Sequence, residues 1–179
     1  MPRINPVSSA DTATQATLDA VKAKFGMVSN LYATFAQSPA VLNGFLAFSD
    51  HLSKGTLTAR QREIVALATA QVNGCHYCLS AHTLLGKGAG LSPKGIQSAR
   101  RGKAADPVDD AVATFALRVL EARGSVTDAD IAAARSAGLD DARIIEVIGQ
   151  VALNVLTNFT NNVAQTTIDF PVVDVALVA

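Results

Sequence analysis

The stretch Thr58-Ala59-Arg60-Gln61-Arg62-Glu63-Ile64-Val65-Ala66-Leu67-Ala68-Thr69-Ala70-Gln71-Val72-Asn73-Gly74-Cys75-His76-Tyr77-Cys78-Leu79-Ser80-Ala81-His82 contains a helix start, a break and a second helix. Thr58 and Gln61 form a T-x-x-Q capping box, which opens a helix through Ile64, Val65, Leu67 and Ala68 to Val72. Gly74 breaks that apolar run. After it, Leu79 to Gly88 holds good helix formers and ends in glycine, so a second helix is expected with both cysteines in or near its first turn. The two helices predict an antiparallel hairpin turning at Gly74.

Outward from the hairpin the same signals recur. Ser38-Pro39, Ser92-Pro93 and Asp106-Pro107 place a cap before a first-turn proline. The first opens a helix whose apolar residues Val41, Leu42, Phe45, Leu46, Phe48 and Leu52 run to Gly55, and the third predicts a helix to about Arg123, just before Gly124. Thr127 and Asp140 cap two more helices, with Gly138 closing the first and the second running from Asp141 to about Ile168. Upstream, Asp11 to Lys24 is a first helix ended by Gly26, and Asn30 to Gln37 a short second one. Alternating strand patterns are nearly absent before the tail, so the expected fold class is all-α. We expect one domain over 1–179, with a helical arm at 1–38, the hairpin core at 58–90, and an apolar tail from Phe170 to Ala179 packed on the core or across an interface.

Composition narrows the function classes. The 179 residues are 49% apolar and only 17% charged, against roughly 25% charged for typical soluble domains. The excess apolar surface predicts self-association into a homo-oligomer. Lys+Arg and Asp+Glu are equal at 15 each, without the basic face of a nucleic-acid binder, so no nucleic-acid partner is expected. The cluster Arg100-Arg101-Gly102-Lys103 suits a solvated helix end. No apolar run approaches the length of a membrane span, and the first residues lack the apolar region of a signal peptide. A cytoplasmic location is expected, with no membrane partner.

In a reducing compartment the only two cysteines, Cys75 and Cys78, are better suited to catalysis or metal binding than to a structural staple. On a helix Cys75, Cys78 and His82 stand at i, i+3 and i+7, along one face. A helix N-terminus stabilises a thiolate, and imidazole accepts a proton near neutrality. In the hairpin Glu63 falls about 16 Å and His82 about 12 Å back from the turn, which makes a Glu63–His82–thiolate relay possible. Glu63 could instead be a surface acid paired with Arg60 or Arg62. Cys75, Cys78, His82 and Glu63 could in principle hold zinc, but one Cys-x-x-Cys without a second cluster is weak support, and no metal is assigned. A thioredoxin-like site would follow a strand, whereas the segment before Cys75 is helical. His76 and His51 are expected at the surface. Asn154, Asn158, Asn161 and Asn162 form an amide stripe that faces either solvent or a pocket or subunit seam; Tyr77, Asn158 and Asn162 are candidate substrate contacts.

Glu63 followed by Cys75-x-x-Cys78-x-x-x-His82 on a helical hairpin resembles the alkylhydroperoxidase D-like branch of the carboxymuconolactone decarboxylase superfamily. The ending from Thr157-Asn158-Phe159 through Asn161-Asn162-Val163-Ala164 to Asp169-Phe170-Pro171 resembles its peroxidase-related subgroup. The resemblance implies an all-α bundle and a thiol-dependent peroxidase: Cys78 peroxidatic, Cys75 resolving, His82 the base and Glu63 the carboxylate behind it. It implies a hydroperoxide substrate, an external thiol or dithiol donor, no haem or metal cofactor, and a trimer or hexamer. Alkylhydroperoxidase D has a histidine just before its second cysteine, where this chain has Tyr77. The competing functions are a decarboxylase-like lyase, whose relatives lack the dithiol, and a non-enzymatic dithiol redox sensor.

Overall fold

The structure is a computed structural model that describes residues 1–176; positions 177–179 of the expected tail lie outside the described residues. It is all-helical among them, in the order α1 (Thr12–Phe25), α2 (Asn30–Phe35), α3 (Pro39–Ser53), α4 (Ala59–Val72), α5 (His76–Gly88), α6 (Pro93–Arg100), α7 (Pro107–Glu121), α8 (Asp128–Ser136) and α9 (Asp141–Ala164). Most of the expected caps form: Thr58 and Gln61 make the reciprocal capping box, and Ser92, Asp106, Thr127 and Asp140 each accept a first-turn backbone N–H, as Asp11 does at the start of α1; Ser38 stands at its N-cap position before Pro39 but makes no side-chain cap bond.

Helix α4 is the axis of the molecule and packs against α5, α6, α7 and α9. Every residue from Ile64 to Ala70 is buried, as expected of a helix that is apolar around its whole circumference. Its Ile64, Leu67 and Ala70 join Leu42, Phe45, Leu79 and Leu153 in one apolar cluster, while Val65 joins Val112, Phe115, Val147 and Val151 in another. Two cores thus share one helix, which fixes the position of whatever α4 carries.

The α4–α5 hairpin forms as expected. Gly74 takes φ +60, and Cys75 N–H reaches back to the Ala70 carbonyl at 2.9 Å. Gly86 lets α5 approach α4, because a Cβ there would stand 3.1 Å from Leu91 Cδ1 and 3.6 Å from Leu67 Cδ1.

The last helix is shorter than expected, ending at Ala164 rather than near Ile168. Gln165 adopts a left-handed conformation with φ 53, and Thr166 N–H bonds the Asn161 carbonyl. The β-branched run Thr166-Thr167-Ile168 gains little from remaining helical. The chain then runs back over the molecule, burying parts of Ile168, Phe170, Val173 and Val175 against the first core. Polar ties hold this strap: Val173 N–H to Ser80 Oγ at 2.9 Å, Gln71 Nε2 to the Val175 carbonyl at 2.8 Å, and Arg100 to the Asp174 carbonyl at 2.7 Å. The first residues also pack on the chain itself, Arg3 N–H donating to the Ala164 carbonyl at 2.7 Å and Val7 N–H to that of Ala33 at 3.0 Å.

Candidate active site

Cys75 is the N-cap of α5, and its sulfur accepts the Cys78 backbone N–H at 3.3 Å. Cys78 lies one turn in. Both thiols are free and buried, at 0% and 2% exposure. Of the two, only Cys78 faces a cavity of about 320 Å³ that also meets Glu63, Tyr77, His82, Leu31, Tyr32, Phe45, Leu153 and Phe170. Cys75 sits behind it, out of the cavity wall.

The hairpin brings Glu63 and His82 into direct contact, Oε2 to Nδ1 at 2.8 Å, with both side chains less than one-fifth exposed. Neither Arg60 nor Arg62 takes Glu63: Arg60 pairs with Asp109 at 2.9 Å, and Arg62 donates to the Leu57 carbonyl. With Nδ1 held by the carboxylate, Nε2 is the ring nitrogen left for the sulfur side. Burial works against the charged imidazole, but the Glu63 carboxylate and the Cys78 sulfur together hold its pKa above the ordinary value.

The two sulfurs are pushed in opposite directions. Hydrogen bonding from Cys75 lowers the Cys78 pKa against the cost of its burial, helped by the His82 charge and by the Asn161 and Asn158 amides. Cys75, facing a Cys78 thiolate from a buried position, is pushed up. The geometry therefore favours a thiolate at Cys78 and a proton on Cys75.

Part of the amide stripe turns inward. Asn154, Asn158 and Asn161 are all at most 3% exposed. Asn161 Nδ2 stands 3.3 Å from Cys78 Sγ, and Thr157 Oγ1 lies 3.9 Å from it on the same face. Asn158 Oδ1 accepts from Asn73 Nδ2 at 3.0 Å, while its own Nδ2 is buried with no protein partner other than its contribution at the Cys78 sulfur. Asn162 is displaced from this group and donates to the Asn73 carbonyl at 2.8 Å. Neither Asn158 nor Asn162 reaches the cavity wall; they brace the turn before α5 and the back of the sulfur. Tyr77 does line the cavity. Its hydroxyl donates to Asp169 Oδ2 at 2.6 Å and accepts from Leu31 N–H at 3.2 Å, and burial with the Asp169 contact raises its pKa, so the phenol stays neutral. Phe170 packs edge-on against the ring at 5.6 Å. His76 and His51 are exposed, as expected.

Two contributors escape a reading by sequence alone. Asn161 is one member of a stripe whose inward rotation depends on packing, although its i+4 relation to Thr157 puts both on one face. Asp169 lies beyond the helix, and only the course of the strap takes it to Tyr77. Among the described residues no three His, Cys, Asp or Glu side chains come together as a metal site requires, and no helix is long and apolar enough to cross a membrane.

Residues 39–122, which contain this whole hairpin, match the carboxymuconolactone decarboxylase family. A solved structure from Ralstonia eutropha JMP134, described as an alkylhydroperoxidase AhpD core and peroxidase-related protein, is 27% identical over 94% of this chain and 92% of its own, with a TM-score of 0.83. The family match thus covers the hairpin segment, and the whole chain shares the fold of the alkylhydroperoxidase-like structure. A similar fold is that of a peroxidase-related protein from Silicibacter sp. TM1040, 24% identical over 92% of this chain and 91% of its own at a TM-score of 0.78. The debrominase Bmp8, solved with 2,3,4-tribromopyrrole, is 14% identical over 93% of this chain and 91% of its own at 0.76. At those identities the likeness is one of fold. No curated protein matches the chain.

Proposed function

We propose that this protein is a member of the carboxymuconolactone decarboxylase superfamily and a thiol-dependent peroxidase that reduces organic hydroperoxides through Cys78. The observation that carries the reading is the asymmetry of the dithiol: Cys78 opens on a cavity beside a carboxylate-backed imidazole, and Cys75 waits behind it. The Cys78 thiolate attacks the outer peroxide oxygen, the O–O bond breaks, and the alkoxide leaves with a proton from protonated His82. Cys78 is then a sulfenic acid and the hydroperoxide an alcohol. Cys75 gives up its proton as its sulfur attacks Cys78, forming the disulfide and releasing the sulfenic oxygen as water. An external thiol or dithiol, in turn oxidised to its disulfide, restores both thiols by exchange. The protein works as a homo-oligomer, a trimer or hexamer, and serves antioxidant defence.

One equivalent of cumene hydroperoxide should remove both free thiols with a mass loss of two hydrogens, and Cys75→Ser should trap Cys78 as sulfenic acid. Steady consumption of peroxide with a dithiol donor separates an enzyme from a redox sensor, which would oxidise once and stop. Two thiols surviving excess peroxide would overturn the reading, and trapping at Cys75 in the Cys78→Ser protein would reverse the roles.

A further inference from the structure

The cavity wall carries one cation that the peroxidase chemistry leaves unused. Arg62 lines the space, is half-buried, and has no acidic partner among the described residues; its one hydrogen bond runs from Nη1 to the Leu57 carbonyl. A guanidinium has five N–H donors, so most of its hydrogen-bonding capacity remains open. Its neighbour Glu63 is not available to it, being bonded to His82 at 2.8 Å.

The wall that carries Arg62 and Cys78 also has a large apolar and aromatic share, with Tyr32, Phe45, Leu153 and Phe170 on it. Hydrogen peroxide has no use for such a wall, and a small neutral hydroperoxide would have no use for the guanidinium. We infer that Arg62 anchors a carboxylate, and that the cavity takes an amphipathic organic hydroperoxide: a peroxide group at Cys78, an apolar or aromatic body along the wall, and a carboxylate on the Arg62 fork. Planar bidentate pairing is what a guanidinium offers a carboxylate and a lysine ammonium does not. The identity of the reacting group rests on the peroxidase reading; the anchor does not.

The test compares cumene hydroperoxide with its para-carboxylated counterpart. The wild-type protein should favour the carboxylated peroxide by about tenfold or more in kcat/KM, with the difference lying in KM, as binding energy unconnected with the reacting atoms does. Arg62→Gln should bring the ratio near one, and Arg62→Lys should retain only part of it. A wild-type ratio of one, or a ratio unmoved by Arg62→Gln, overturns the inference. Calorimetric binding of 4-isopropylbenzoate and of its methyl ester to the wild-type protein judges the anchor without turnover and without a variant. If neither peroxide is consumed yet the acid binds about tenfold tighter than the ester, the peroxidase reading fails and the anchor stands; equal binding of acid and ester rejects the anchor whatever the peroxides do.

Discussion

At the scale of single residues, the reactivity of Cys78 is set by groups on three helices: Cys75 and His82 on α5, Glu63 on α4 behind the imidazole, and Asn161 on α9. The Cys78 pKa is drawn down to about 6, and the His82 pKa is held above the ordinary imidazole value. Peroxide reduction needs the thiolate as nucleophile and protonated His82 as acid, so kcat/KM should rise with pH through about 6 and fall again where His82 loses its proton, above the usual 6.5. Replacing Glu63 by Gln removes the charge that sustains the imidazolium. The pH of half-maximal Cys78 alkylation, measured in a Cys75→Ser background, should therefore rise; His82→Ala should raise it further and cut peroxide turnover by about 10² to 10⁴-fold. Asn161→Leu, which removes the amide at 3.3 Å, should also move the alkylation midpoint up. An unchanged profile in all three would leave only Cys75 and the helix terminus to account for the thiolate. Glu63, Cys75, Cys78 and His82 were legible as a constellation because their spacing along helices is a local property. Asn161 was not, since which side of a stripe turns inward is decided by partners far along the chain.

At the scale of elements, sequence signals were strongest where the backbone enforces them. The Thr58–Gln61 box, the Gly74 break and the cap-then-proline starts use side chains to satisfy backbone N–H groups or proline to fix φ, and each held to within a residue or two. The end of α9 was misjudged by four residues, from Ile168 to Ala164, because valine and threonine at helical spacing do not reveal where packing makes the chain turn. That turn matters, since it delivers Asp169 to both the Tyr77 hydroxyl at 2.6 Å and the Asn30 N–H at 2.9 Å. Asp169→Ala should lower stability by about 1 to 2 kcal/mol in urea denaturation, in keeping with two hydrogen bonds lost from an exposed carboxylate, one of them to a buried phenol. A midpoint equal to wild type would mean that Ser80 and Arg100 hold the strap without it.

For the whole molecule, the low charge content foretold an outer surface richer in apolar side chains than a small monomer needs. On α9 the residues Ile145, Ile148, Leu156, Phe159 and Val163 are all exposed, and they recur at intervals of three, eight, three and four along one helix. This second apolar face, opposite the one that packs on α4, is the expected seam between copies. Light scattering should give a multiple of 18.5 kDa, and Phe159→Glu with Ile148→Glu should reduce it toward that mass; a wild-type monomer at micromolar concentration would remove the oligomer from the account. The burial of both sulfurs acts at this scale as well. Cys78 is only 2% exposed, at the wall of a cavity that also carries Tyr32, Phe45 and Phe170, so a reagent's size bears on its access to the sulfur as well as its chemistry. If Cys78 is the reacting sulfur, a small thiol should restore it faster than a protein reductant at equal concentration, and equal rates would show that its burial sets no size limit.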